Sequence, residues 1–360
     1  MRIRADRDDL ADALARANRA IGARTALPVL QGVLCEVIGN TLRATGTDLE
    51  MTVKTSLEVE AGEEGSVVIP GRLAAEAVRK LPAGPVTISS AEGEVEILGQ
   101  GPKFRLRQLA VEDFPQLDEP PAGGVEVDGN GLAEAIRQVT IAASADAARP
   151  ILTGVLFEGE GEGLRLVATD SYRLAVRDLA GAGLGGSGLI PARGLRELER
   201  TVGASKVSVL LEPREAVFRS DRGVLRLRLI EGAFPKYRTL LPDSYPNQIS
   251  IDKTSLLEAL GRAALVAEDH IPVRMKISNG GVELSVNRHD VGGETEHIEG
   301  DFKGAEEEVE IAFNPRYLAD GVAAVDSERV RLQVIDGLKP SVIDSPDGGE
   351  FLYLLMPVRV

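Results

Sequence analysis

Tryptophan is absent from this 360-residue chain, and aromatic residues make up only 4 % of it. Its cores must therefore be built from Val, Leu, Ile and Ala, which fill space by close interdigitation rather than with large rings. A single cysteine, Cys35, excludes an internal disulfide and points to a reducing cytoplasm. Cys35 alternates with apolar neighbours in Val33-Leu34-Cys35-Glu36-Val37, the setting of a buried small hydrophobe and not of a nucleophile. Histidine is nearly as scarce: His270, His289 and His297. Neither His289-Asp290 nor Glu294-Thr295-Glu296-His297 has the spacing of a known metal site, so no metal and no cofactor are expected. No apolar run approaches the roughly 20 residues of a membrane span, and Met1-Arg2-Ile3-Arg4-Ala5-Asp6 lacks the apolar stretch of a signal peptide. Gly181-Ala182-Gly183-Leu184-Gly185-Gly186 fits G-x-G-x-x-G by letter, but Leu189-Ile190-Pro191 follows it and not a helix, so it is expected to be a flexible joint. Thr169-Asp170 has no neighbouring base. No catalytic residue is expected.

Cations are in deficit: 41 Lys and Arg stand against 56 Asp and Glu, a net charge of −15. Spread evenly, that balance would argue against a nucleic-acid binder, whose affinity comes from neutralising phosphates. What the chain has in abundance is repetition. Leu10-Ala11-Asp12-Ala13-Leu14 returns as Leu132-Ala133-Glu134-Ala135-Ile136 and as Leu256-Leu257-Glu258-Ala259-Leu260. Pro28, Pro150 and Pro272 are 122 residues apart, as are Thr47-Asp48 and Thr169-Asp170. Ile69-Pro70-Gly71-Arg72 returns as Ile190-Pro191-Ala192-Arg193 and, more loosely, as Phe313-Asn314-Pro315-Arg316. Phe114-Pro115 returns as Phe234-Pro235. A period this long is a whole domain and not a solenoid repeat. Three similar domains are therefore expected, over 1–121, 122–246 and 247–360, with Gly/Pro-rich joints at 119–124 and 241–246.

Each third opens with an amphipathic helix, over 7–21, 131–143 and 255–267. A second, shorter helix is expected over 71–81, 192–202 and 315–324. Strands with period-two alternation, such as Gly154-Val155-Leu156-Phe157-Glu158, fill the rest. Two helices and many antiparallel strands per domain give an α+β layer. The charge is sorted by element: the helical segments together carry +3, which leaves −18 for strands and turns. Arg193, Arg196 and Arg200 step by three and four onto one helix face, and Arg72 and Arg79 share another. Such arginines either solvate a helix face or line a surface much less negative than the rest.

In this order the repeats resemble the bacterial sliding clamp, the β subunit of DNA polymerase III. The resemblance rests on Gly46-Thr47-Asp48-Leu49-Glu50, on Ala168-Thr169-Asp170-Ser171-Tyr172-Arg173-Leu174-Ala175, and on the run from Phe234 to Pro242. The terminal Tyr353-Leu354-Leu355-Met356-Pro357-Val358-Arg359 and the loop Arg24-Thr25-Ala26-Leu27-Pro28-Val29-Leu30 also carry it. It covers essentially the whole chain and implies the DNA-clamp fold: three tandem similar domains, each with two helices packed on antiparallel sheets. It implies a head-to-tail homodimer that encircles double-stranded DNA, with helices lining the hole and sheets outside. Such a ring is a processivity factor for the replicative polymerase, without a catalytic site of its own. A mobile tether needs few, exchangeable phosphate contacts, which suits helices that are only mildly basic. Arg24 matches a DNA-contacting position of the family, and Arg149 and Arg193 lie where it has further basic contacts. Arg72, Arg79 and Arg196 join them by the helix-face pattern.

The resemblance also implies a pocket between the second and third domains that takes short peptides from the polymerase, the clamp loader and other partners. Matching positions are Leu152, Gly154, Thr169, Ser171, Tyr172, Arg173, Leu174, Pro235, Leu240, Leu354, Met356 and Pro357. Asn314, Tyr317, Ser341 and Arg359 would hydrogen-bond the extended peptide. At the dimer seam Phe104 would pack against Leu265 and Val266 of the partner chain. The sequence departs from the family at the pocket: many relatives have Gly-His at Ser171-Tyr172, an Arg at Thr239, and an aromatic pair at Pro150-Ile151. A specialised clamp with altered partner preference, or with altered sensitivity to compounds that target the pocket, is the alternative. A clamp-like protein that docks peptides without encircling DNA is a further one.

Overall fold

The computed structural model describes residues 1–22, 27–242, 244–267 and 271–359. Six α-helices occur among them: α1 (Arg7–Asn18), α2 (Gly71–Lys80), α3 (Gly129–Thr140), α4 (Ala192–Thr201), α5 (Lys253–Ala263) and α6 (Pro315–Ala324). All six expected helices are present. The first helix of each third ends about three residues earlier than its apolar pattern, because the pattern runs on into a tighter turn. Ala20 N donates to Ala17 O, Ala142 N to Val139 O, and Val266 N to Ala263 O, each an i→i−3 bond. Asp6 caps α1 and Asp252 caps α5 by accepting from backbone N–H groups of the first turn. Asn314 caps α6 with Pro315 in its first turn. None of the described helices is long and apolar enough to cross a membrane.

Each third repeats one strand scheme. Gly32–Ile38 pairs with Thr41–Thr47 and Gly65–Pro70. Gly154–Glu160 pairs with Gly163–Thr169 and Ser187–Pro191. Val273–Ser278 pairs with Gly280–Arg288 and Glu308–Phe313. The thirds are joined by strand pairing. Gly223–Arg228 of the middle third lies antiparallel beside Met51–Glu58 of the first, and Phe351–Leu355 of the last beside Arg173–Leu179 of the middle. Two compact units result, Met1–Asn130 with Glu197–Leu229, and Gly131–Arg196 with the residues from Ile230 onward. The middle third is thus shared between them.

In the first unit a five-stranded sheet runs Glu60–Glu63, Arg2–Asp6, Pro85–Ala91, Glu94–Leu98, Lys103–Arg107. An eight-stranded sheet runs from Val125–Val127 through the seam to Gly65–Pro70. Leu10, Leu14 and Ala17 of α1 and Ala74 and Val78 of α2 are buried against Ile3, Val33, Ile69 and Ile88. Each fully buried leucine is worth about 1.5–3 kcal/mol. Cys35 lies inside this core, and burial pushes its thiol up to about 12. In the second unit one antiparallel sheet of twelve strands runs from Ser187–Pro191 to Glu308–Phe313. The glycine-rich segment 181–186 joins two of its strands, but it is anchored and not a flexible joint. Ala182 and Leu184 are buried and Gly159 N donates to Gly186 O at 2.9 Å. Gly159 is required here, since a Cβ would lie 1.8 Å from Leu184 O.

Candidate functional site

The strands Arg173–Leu179 and Phe351–Leu355 set Leu174 opposite Leu354 and Val176 opposite Leu352. Strand alternation puts these four on one face of the sheet. There they join Val167, Val342 and Tyr237, with Leu156, Phe234, Leu241 and Tyr245 at the margin. Tyr237 is fixed by its hydroxyl, which donates to Glu158 Oε2 at 2.9 Å, and burial pushes that phenol up to about 12. Leu174, Leu354, Leu152, Gly154 and Thr169 are all buried, so they form a floor and not a contact surface. The exposed rim is Tyr172, Leu240 and Met356, with Ser171, Pro235 and Arg359 also exposed. Met356 N donates to Tyr172 O at 2.9 Å, which sets two of the rim residues side by side. Ser341 departs from expectation: it opens a strand paired with Leu355 and is completely buried, so its hydroxyl does not present itself to an extended peptide.

The turn that presents Tyr172 is built by its own side chains. Thr169 Oγ1 donates to Arg173 O at 2.7 Å, and Asp170 Oδ1 accepts from Tyr172 N and Arg173 N at 2.9 and 3.0 Å. Ser171 sits at φ +83°, a region that favours glycine. Arg173 is nearly buried. Its Nε donates to Asp170 Oδ2 at 3.0 Å and its Nη1 to Asp320 Oδ2 at 2.6 Å, which ties the turn to α6. Burial alone would lower the Arg173 pKa; the Tyr353 hydroxyl and the Asp320 and Asp170 carboxylates more than reverse this. The guanidinium also lies 4.1 Å from the centre of the Tyr317 ring, and Tyr317 and Tyr172 are 6.4 Å apart, centre to centre. Behind the sheet, Tyr353 donates to Tyr317 O at 2.9 Å and fills the space over Gly321. Asn314 is used as the cap of α6, which orients Tyr317. Pro357 is half-buried after the last strand.

Of the arginines expected to meet DNA, Arg24 lies outside the described residues. Arg72 and Arg79 are exposed on α2, and Arg72 Nε pairs with Glu76 at 2.9 Å, which raises its pKa and offsets its charge. Arg193 is exposed at the start of α4. Arg149 pairs with Asp146 at 3.0 Å, and Arg196 Nη2 donates to Thr140 O at 2.9 Å. Arg149 and Arg196 prove to line one recess of about 480 Å³ together with Tyr172, Arg173, Arg316 and Tyr317. The sequence reading missed Arg316, although it occupies the same place as Arg72 and Arg193 in the thrice-repeated motif. It also missed Asp170, three residues from its partner Arg173, and Asp320, whose role depends on a contact across 147 residues.

Two strand edges carry the remaining expected residues. Among the described residues Lys103–Arg107 ends its sheet, paired on one side only, with Glu94–Leu98. Phe104 on it is half-buried against the first core. Of Gly292–Lys303, residues Gly292–Gly300 pair with Gly280–Arg288, but only Gly300–Lys303 meets Asn247–Asp252 on its other side. Its first part therefore leaves one edge open among the described residues. Leu265, after α5, is 85 % exposed and Val266 is half-exposed.

Residues 1–118, 126–236 and 238–359 match, in order, the N-terminal, central and C-terminal domain families of the DNA polymerase III β subunit. The chain is 34 % identical to the beta sliding clamp of Streptomyces coelicolor, with 100 % of both chains covered. The sliding clamp of Bacillus subtilis superposes with a TM-score of 0.94 at 25 % identity, covering 100 % of this chain and 99 % of that one. The Pseudomonas aeruginosa sliding clamp bound to griselimycin superposes with a TM-score of 0.93 at 27 % identity, covering 100 % of both. Three tandem domains of two helices each on antiparallel sheets are the architecture that these matches share, and the chain belongs to the bacterial DNA polymerase III β subunit family, the DNA sliding clamps.

Proposed function

We propose that two copies of this chain close head to tail around duplex DNA and hold the replicative polymerase on it, without any catalytic step of their own. The observation that carries this is the repeated seam. Twice within the chain the last strand of one third lies antiparallel beside the fourth strand of the third before it. The corresponding strands left over are Lys103–Arg107 and Gly292–Lys303, each with an edge open among the described residues. Applied between two chains, the same rule pairs them, removes both edges and closes six similar domains. Charge favours the match: Lys103, Arg105 and Arg107 stand on one edge, and Glu294, Glu296 and Glu299 on the other. Glu294 Oε2 is buried without a hydrogen-bond partner. Phe104 on one chain and Leu265 and Val266 on the other would supply apolar contact. The domains are taken as 1–121, 122–246 and 247–360. Arg24, Arg72, Arg79, Arg149, Arg193 and Arg196 are taken as the phosphate-facing group, and the cytoplasm as the compartment.

The apolar face at Leu174, Leu354, Leu240 and Met356 is read as the dock for partner peptides from the polymerase and the clamp loader. Exposed Leu240 and Met356 above a buried floor support it, since two apolar anchors of about 1.5–3 kcal/mol each give an exchangeable affinity. The test is sedimentation followed by DNA retention. Two chains, near twice 38.3 kDa, and protein kept on closed circular DNA but lost on linearising it are expected. A monomer that binds both DNA forms alike would overturn the ring. The specialised-clamp alternative is favoured by Tyr172, whose exposed ring stands beside Tyr317 at the rim. Tight, ordinary binding of griselimycin and of a standard clamp-binding peptide would remove it.

A further inference from the structure

Two aromatic pairs border the aliphatic row of the apolar face, and they differ in what they leave uncovered. Phe234 and Tyr237 meet edge to face, with 6.4 Å between ring centres. Tyr237 is buried, its hydroxyl donates to Glu158, and the Arg238 guanidinium lies 4.9 Å from its ring centre. That pair is closed. In the other pair the Arg173 guanidinium stands over the Tyr317 ring, and Tyr172 lies beside Tyr317 with its ring tilted by 35°. Tyr317 is half-buried, but Tyr172 is 59 % exposed, against 47 % for Leu240 and 39 % for Met356. The largest uncovered apolar side chain of the rim is therefore a ring at the end of an aromatic stack. It is also pre-set: Tyr172 N donates to Asp170 Oδ1, and Tyr172 O accepts from Met356 N, each at 2.9 Å. A group whose backbone is already fixed loses little freedom when a ligand meets it. The Met356 N to Tyr172 O bond puts the ring next to Met356, whose thioether is a soft neighbour for a further ring. A peptide lying across Leu240 and Met356 therefore brings a flanking side chain to Tyr172.

We propose that Tyr172 and Tyr317 form an aromatic subsite at the edge of the dock, so that this clamp prefers partner segments with an aromatic residue flanking their aliphatic anchors. This rests on the reading of the apolar face as a peptide dock. The physical reason is the ring quadrupole: an offset-stacked or edge-to-face ring gains more on Tyr172 than its apolar area alone supplies, and an aliphatic side chain gains the area only. The turn holds residue 172 by its backbone N and O, so Tyr172→Leu keeps the hydrogen bonds of the turn and removes the ring.

The test uses the full chain and fluorescence anisotropy. Both probes are peptides with two Leu anchors. One has Phe at both flanking positions; the other has cyclohexylalanine there, a saturated ring of the same carbon count with no π-system. A site that reads apolar area alone binds the saturated ring at least as well. The Phe peptide is expected to bind about fivefold tighter. That gain should persist in Tyr172→Phe and vanish in Tyr172→Leu, while the cyclohexylalanine peptide binds all three proteins about equally. Equal affinity of the parent for the two peptides, or a Phe preference that survives Tyr172→Leu, overturns the proposal and leaves the dock intact. Tighter binding of both peptides to Tyr172→Leu makes the ring an obstruction and overturns the proposal as well. Failure of both peptides to bind the parent overturns the dock and the proposal with it.

Discussion

The two seams within the chain use one ladder and present different surfaces. At the first, Arg226 faces Thr52 and Val224 faces Lys54; at the second, Leu354 faces Leu174 and Leu352 faces Val176. The first seam therefore turns a polar strip outward, tied down by Lys54 to Glu119 at 3.0 Å and Arg226 to Glu215 at 2.7 Å. The second turns out a row of aliphatic residues. Behind the strands the contrast is one of size. Leu225 faces Val53 at the first seam, and a cavity of about 30 Å³ remains beside it, lined also by Leu198 and Phe218. Tyr353 faces Ala175 at the second and fills the corresponding space over Gly321. Met51 occupies the place where the second seam buries Arg173. The backbone pairing makes a joint; the outward and inward side chains decide whether the joint is also a platform.

The strongest way to break this contrast is at Arg173. Arg173→Met strands Asp170 and Asp320 and should cost about 3–5 kcal/mol by denaturant unfolding, as for other broken buried ion pairs. Met51→Ala at the first seam strands no charge, so an equal or larger loss there would show that the ion network does not distinguish the seams. Gly321→Ala drives a methyl to 2.3 Å from the Tyr353 ring and should cost about 1–3 kcal/mol, read as a lower midpoint of thermal unfolding. Unchanged stability would mean that the tyrosine is loosely held. Leu240→Ser should weaken an apolar-anchored peptide about tenfold in anisotropy, with the fold unchanged.

A comparison with the third, open joint is sharpened by acid. Burial, and then the neighbouring Glu296, raise the Glu294 carboxyl above its ordinary 4.5. Cations brought by Lys103–Arg107 would lower it again. Closure is then favoured as pH rises and complete above the open-state value, and it is lost as pH falls through the closed-state value. Sedimentation should show a few-fold weaker dimer near pH 4.5 than near pH 7; a dimer that strengthens in acid would contradict the pairing. The smallest effect belongs to Ser171→Gly, which relieves a positive φ and should stabilise the second unit by up to about 1 kcal/mol in the same unfolding assay.

Much of this was legible in the sequence because it is periodic. The 122-residue repeat gave three domains, and each domain gave two helices whose apolar faces recur at fixed places. The helix ends were not legible, since the apolar spacing of Ala20, Ala142 and Val266 continues through residues that fold as tighter turns. At the candidate site, the residue types of the turn 169–173 were readable and their burial was not. Ser341 looks like a surface hydrogen-bond donor until the register sets it beside Leu355, inside the sheet. Arg316 was visible as a repeat of Arg72 and Arg193, yet its neighbours Tyr172 and Arg149 come from distant segments that no spacing connects.

The open edges of Lys103–Arg107 and Gly292–Lys303 carry opposite charge, so each fits the other and neither fits itself. A pair of chains that meet at both places leaves no tip from which a fibre can grow, and assembly stops of its own accord. The same pair has two fastenings, and releasing one leaves the halves attached by the other. A band of this kind can be slipped over a thread with no free ends and then fastened behind it, so threading from a terminus is never required.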